Sequence, residues 1–266
     1  MPTLTAALRA EYESLFNRCV ISPIPVKTKA VNDLVKKLLS NRARYQDVSK
    51  ATGVPWHFIA VIHNMESGQS FAGHLHNGDP LNARTVQVPK GRPLGPPPFT
   101  WEVSATDALG LKKLDASTDW SLAGTLYRLE LYNGWGYRNH HPETLSPYLW
   151  SYSNHYVSGK YVKDGVWSPT EISKQCGAAV LLRRMAELGE IAFPVPAAVA
   201  VAAKVVPRYA MKKSTDASIV AQVESLQRWL SGFPQIFLKV DGVPGQKTSD
   251  AYKAVTGSFL PGDPRA

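Results

Sequence analysis

Apolar residues recur at helical spacing over residues 4–18 and again over 29–44, where Leu34, Leu38 and Leu39 alternate with basic positions. Repeats of three and four residues predict amphipathic helices. Pro55 suits the first turn of a further helix over 55–66. Phe58, Val61, Ile62 and Met65 form its apolar stripe and Gly68 stops it. The pattern then changes. Residues 72–100 are rich in Gly, Pro and Asn, and the alternation Thr85-Val86-Gln87-Val88 predicts a small β-hairpin. The stretch PLGPPPF, 93–99, reads as extended. Helical spacing returns near 104–114 and 119–132, residues 133–170 are aromatic and irregular, and a helix over 171–189 is expected with Ser168 or Thr170 as its cap. Pro194, Pro196 and Pro207 mark a linker over 194–214. The expected fold is mainly α, of α+β type. A helical bundle over 1–193 has a β-hairpin beside one helix, and a small three-helix domain occupies 215–266. No internal repeat is visible.

At 266 residues the chain has room for one or two domains of about 150 residues. With 44% hydrophobic and 19% charged residues its composition is that of a folded chain that needs no disulfide or metal to form a core. The net charge of +9 points to a polyanionic partner. The excess lies at the ends: +5 over 1–50, −1 over 51–110, +1 over 111–190 and +4 over 191–266. A neutral middle is a poor phosphate-binding stripe, so nucleic acid is not the expected partner. Cys19 and Cys176 read as reduced structural thiols. The amino-terminal stretch has no long apolar run, so no signal peptide is expected. The most apolar segment, 191–206, is too short for a bilayer and holds two prolines, so it reads as a linker and no stable membrane insertion is expected.

The chemistry concentrates where the 55–66 helix ends. Glu66 follows Ile62 by four residues, so it lies beside the apolar stripe. Burial there raises a carboxyl pKa and keeps the group protonated near neutrality, as a general acid requires. The plainer alternative, a surface carboxylate, is disfavoured at a helix C-terminus by the helix dipole. Asn77-Gly78 is a turn signal that puts Asp79 on a hairpin facing that helix end, with Thr85 six residues on. A turn-forming Asp before Pro80 is the competing reading of Asp79. Glycoside cleavage uses two carboxylates across the bond, or one carboxylate and a positioned water. His63, His74, His76 and the pair His140-His141 match no H-E-x-x-H pattern, so no metal and no cofactor is expected. His76 is assigned to the cleft wall.

The segment Ala60–Phe71, with its Glu66-Ser67 pair, resembles the catalytic helix end of goose-type lysozymes and lytic transglycosylases. The Asp79-to-Thr85 spacing is similar to the pair that holds the attacking water in phage-type lysozymes. Leu131-Tyr132-Asn133-Gly134 resembles the Tyr-Asn-x-Gly element of the transglycosylases, which contacts sugar. The resemblance to the lysozyme-like superfamily, in the pattern of phage or prophage endolysins, covers residues 50–190. It implies that Glu66 is the acid, that Asp79 and Thr85 assist, and that Tyr132 and Asn133 bind substrate. Aromatic residues follow densely from Trp135 to Tyr161, and aromatic faces stack on sugars. Tyr137, Tyr148 and Trp150 join Tyr132 as groove candidates.

At the C-terminus, Leu226-Gln227, then Asp241-Gly242-Val243-Pro244-Gly245, then Thr248 resembles the small helical peptidoglycan-binding module of wall hydrolases. Gly242 and Gly245 permit the turn and Thr248 is expected to cap the next helix. Together these resemblances imply a monomeric muramidase. It would act on bacterial peptidoglycan within the anionic cell envelope, wait in the host cytoplasm before release, and cut the β-1,4 bond after N-acetylmuramic acid. A lytic transglycosylase, a chitinase on the same fold and, at a distance, a basic DNA-binding protein are the alternatives.

Overall fold

The computed structural model describes residues 2–163, 165–193, 206–233, 236 and 238–266. Hydroxyl caps fix where several helices begin. Thr5 accepts from the Leu8 amide to open α1 (Ala6–Asn17), Thr100 from the Val103 amide to open α5 (Trp101–Leu111), and Ser121 from the Gly124 amide to open α6 (Leu122–Asn133). The stretch predicted as one helix over 29–44 is two. α2 (Pro25–Ser40) starts on a proline, and at Asn41 the side-chain amide donates to the Lys37 carbonyl and closes it. α3 (Arg42–Thr52) then starts afresh and ends at Gly53. α4 (Trp56–Ser67) ends at Gly68, which adopts φ +58.

Residues 72–100 form no hairpin strands, contrary to expectation. One isolated bridge, Gly73 to Pro80, flanks the Asn77-Gly78 turn, and the rest is loop. Prolines at 80, 89, 93 and 96–98 lack the amides that a ladder needs. The two-stranded antiparallel sheet lies later, pairing β1 (Lys160–Lys163) with β2 (Val166–Ser168). The short helices α7 (Gly136–His140) and α8 (Pro147–Trp150) come just before the sheet in the chain.

The helix expected from 171 starts only at Ala178, as α9 (Ala178–Glu187), and neither Ser168 nor Thr170 caps it. The preceding segment is bound elsewhere. The Gly177 amide donates to the Ser151 carbonyl at 2.9 Å, and the Tyr152 hydroxyl donates to that of Lys174 at 2.8 Å. Backbone passes so close at Gly177 that a Cβ would stand 2.3 Å from the Leu149 carbonyl oxygen.

The chain divides into two compact units, Met1–Met185 and Ala186–Ala266. In the first, α3 packs on α4 and α5, α2 on α4, and α1 and α8 on α6. An aromatic knot of Tyr45, His63, Phe71 and Trp101 ties α3, α4, the following loop and α5 together, with ring centroids 4.5–5.7 Å apart. His63 stays neutral within it. Burial pushes its pKa down to about 4, the Tyr45 hydroxyl lies 3.0 Å from Nδ1, and Nε2 faces the Ser70 carbonyl. α6 is pinned to α1 and α7 by Glu130, which accepts from the Tyr12 hydroxyl and from Arg138 Nε at 2.9 Å.

The second unit shows two helices among its described residues, α10 (Ala217–Leu230) and α11 (Gln246–Thr256), where three were expected. Leu226, Leu230, Ala251 and Leu260 form its core. Gln227, buried, staples the connecting loop. Its Oε1 accepts from the Asp241 and Gly242 amides, and its Nε2 reaches Asp241, the Val243 carbonyl and Thr248. Thr248 is therefore not the cap. Gly245 holds that position, and the Thr248 hydroxyl is spent on Gln227 and on the Val243 carbonyl. Positions 194–205, most of the expected linker, lie outside the described residues. Among the described residues no helix is long and apolar enough to cross a membrane. Cys19 and Cys176 are buried, and no disulfide joins them.

Gly177→Ala tests the close approach at α8. The added methyl forces backbone apart, and a loss of about 1–3 kcal/mol is expected from urea unfolding followed by circular dichroism. An unchanged midpoint would refute the contact.

Candidate functional site

α4 is buried over nine consecutive residues, His57 to Met65, and Glu66 is the first half-buried residue after them. The Tyr148 hydroxyl donates to Glu66 Oε1 at 2.9 Å. Burial lifts the Glu66 carboxyl above its ordinary range, and the hydrogen bond from Tyr148 and the positive charge of Lys112 offset part of that rise. Tyr148 and Tyr132 are themselves shifted upward, by burial first and then by the Glu66 charge, so both phenols keep their protons. Lys112 Nζ stands 4.8 Å from the centre of the Tyr132 ring. Gln175 Nε2 donates to the Met65 carbonyl at 2.9 Å and secures the helix end beside Glu66. Glu66, Tyr132, Tyr148 and Lys112 thus form one cluster.

Asp79 is held apart from this cluster's bonding. Its Oδ2 accepts from the Val86 amide at 2.8 Å, the Gln87 amide at 3.2 Å and Asn77 Nδ2 at 3.0 Å. These amides hold its carboxyl below the usual range, so it is an anion that organises its own loop. Thr85 is buried in the same loop. Its hydroxyl donates to the Pro89 carbonyl and accepts from the Arg92 amide at 2.9 Å. Its proton is thereby committed to backbone. No hydrogen bond joins Asp79 or Thr85 to Glu66.

The remaining candidates separate by burial. Asn133 ends α6 in an exposed position, and its amide makes no hydrogen bond among the described residues. His76 does not line a cleft, for its side chain is 1% exposed and Nε2 meets Asp107 Oδ2 at 2.7 Å. Arg92 closes on the same carboxylate. Trp150 is 1% exposed, edge-on to His155, and offers no face to a sugar. Tyr137 is also core. It packs against Tyr161 and Trp167, and its hydroxyl accepts from the Tyr161 amide. Among the described residues no group of three or more His, Cys, Asp and Glu side chains is gathered to hold a metal ion.

Sequence reasoning missed Lys112 and Gln175. Both fell inside predicted helices, near 104–114 and 171–189, and nothing local marks either as a neighbour of Glu66. A separate hollow of about 420 Å³ lies between α3, α5 and the loop at Pro93-Leu94. Its three carboxylates, Asp47, Glu102 and Asp107, are each ion-paired, and no predicted site residue lines it. No family model, no curated protein and no solved structure matches the chain.

The role of Asp79 is open to a direct test. Its depressed pKa means that its anchoring is complete above about pH 4 and is lost as pH falls through the folded value. Hydrogen exchange at neutral pH is expected to show the Val86 and Gln87 amides protected in the parent and fast in Asp79→Ala. Equal protection in both would mean that the loop holds without the carboxylate.

Proposed function

We propose that the first unit cleaves the glycan strand of bacterial peptidoglycan, at the β-1,4 bond after N-acetylmuramic acid, with Glu66 as general acid. One observation carries this reading. A half-buried carboxyl at the end of a buried helix has a raised pKa, a single phenolic donor and no ion pair among the described residues. Such a group keeps its proton at a pH where an ordinary carboxyl has lost it. Tyr148 occupies Oε1, so Oε2 is the oxygen that carries the proton to the leaving group. Once the proton has left, the same hydrogen bond stabilises the carboxylate. The aromatic ring of Tyr132 and the exposed amide of Asn133 are suited to hold the sugar beside it. The lysozyme-like motif at Ala60–Phe71 supports the same assignment. The second unit, with its Gln227-stapled turn, is proposed as the wall-binding module.

Two product outcomes follow from how the anomeric carbon is quenched. The hydrolase reading assigns the attacking water to Asp79 and Thr85. A lytic transglycosylase closes the sugar's own C6 hydroxyl onto that carbon and returns its proton to Glu66. The commitment of Asp79 Oδ2 and the Thr85 proton to loop backbone favours this second, one-acid route. Mass spectrometry of wall digests separates the two by the presence of an anhydromuramyl end.

Glu66→Gln is expected to reduce wall lysis by about 10²–10⁴-fold, read by turbidity, with the circular dichroism spectrum retained. Lysis at the parental rate would overturn the mechanism. Tyr148→Phe removes a bond that lowers the Glu66 pKa, so the alkaline limb of the pH–rate profile should move upward while the maximal rate falls. A limb that stays in place or moves downward would remove Tyr148 from the acid's environment.

A further inference from the structure

Lys112 is the one cation of the Glu66 cluster, and its position is fixed by two elements. Its backbone amide caps α5, donating to the Ala108 and Leu109 carbonyls at 3.3 and 3.1 Å. Lys113 follows at φ +55, a left-handed turn that non-glycine residues seldom adopt, so the chain reverses immediately after Lys112. The ammonium rests above the Tyr132 ring. A ring face attracts a cation but brings no countercharge. Lys112 is exposed and makes no ion pair among the described residues, whereas Arg9, Arg44, Arg92 and Arg138 of the same unit all have carboxylate partners. Glu66 is near enough for its acidity to feel the lysine, yet as a general acid it works in the neutral form. An unspent positive charge therefore stands at the edge of the site.

We propose that Lys112 is a specificity residue that binds a carboxylate on the substrate glycan and selects acidic, peptide-bearing wall strands over neutral chains. This rests on the reading of Glu66 as a glycan-cleaving acid. An ammonium ion is a compact charge with three donors and suits a single carboxylate of variable approach. Wall strands present carboxylates on their stem peptides and, where the peptide is missing, on the lactyl ether of the muramic residue. A chitin-type chain presents none. The inference thus separates two substrates that the acid at Glu66 cannot tell apart by itself.

The test uses the full chain carrying Glu66→Gln, so that binding is read without turnover. Soluble wall fragments are supplied in two forms, native and with their carboxylates converted to amides. Calorimetry is expected to give about tenfold weaker binding of the native fragment when Lys112→Met is added, and no change for the amidated one. Lys112→Arg should restore most of the native affinity. In the chain with Glu66 intact, Lys112→Met should raise KM for wall fragments more than KM for neutral N-acetylglucosamine oligomers. Equal affinity of the Lys112→Met and parental backgrounds for the native fragment overturns the proposal, while cleavage by the parent still supports the reading of Glu66. A change in kcat and in the pH profile with KM unmoved also overturns it, since Lys112 would then act on Glu66 alone. A parent that binds and cleaves no fragment of either form overturns both.

Discussion

The first unit depends on a helix that is buried on every side. From His57 to Met65 every residue of α4 is buried, and a helix buried all round is held by neighbours in every direction. Two of its polar residues are bonded in place: His63 by Tyr45 and Ser70, and Asn64 by the amide of Gln69. Such an element has little freedom to slide or rotate. The point where its burial ends is fixed to within one residue, and that residue is Glu66. Gly68 then turns the chain away, its amide closing on the Asn64 carbonyl. The acid is placed by the core, and its raised pKa follows from the same placement.

The unit contains a second buried carboxyl, and the contrast shows what distinguishes a reactive group from a structural one. Glu130 is the more deeply buried of the two and its pKa is raised as well, yet Arg138 and Tyr12 both bind it, and Arg138 also reaches Glu11. It is neutralised by a cation and locked between three helices. Glu66 has a phenol for a partner and a lysine at a distance. Its charge state is settled by a balance between burial on one side and two weak stabilisers on the other. A group poised in this way can exchange a proton without dismantling the fold.

The sequence was legible where a short-range rule governs. The helix over 55–66, its stop at Gly68, the turn at Asn77-Gly78 and the position of Glu66 beside the stripe all follow from periodicity and backbone preference. It was less legible where distant contacts decide. The late start of α9 depends on residues 173–177 being engaged by Ser151 and Tyr152, which no pattern near 171 announces. The loss of the hairpin reflects prolines outweighing the alternation of Thr85 to Val88. Among the site residues, Tyr148 could be named as aromatic, but its bond to Glu66 spans 82 positions. Trp150 and His76 looked equally suitable, and burial against His155 and Asp107 removed them.

The loop after α4 carries a consequence of a different kind. Asp79, Thr85 and Arg84 bind backbone within the loop itself, Arg84 through two bonds to the Gly95 carbonyl, and Arg92 anchors it to α5. Its apolar tips nevertheless point outward, with Val88 at 88% exposure. A segment already ordered loses little conformational entropy when something touches it, so contact there need not first repay the cost of folding. What meets this surface is sorted by shape, and a poor match gains nothing from the loop's yielding.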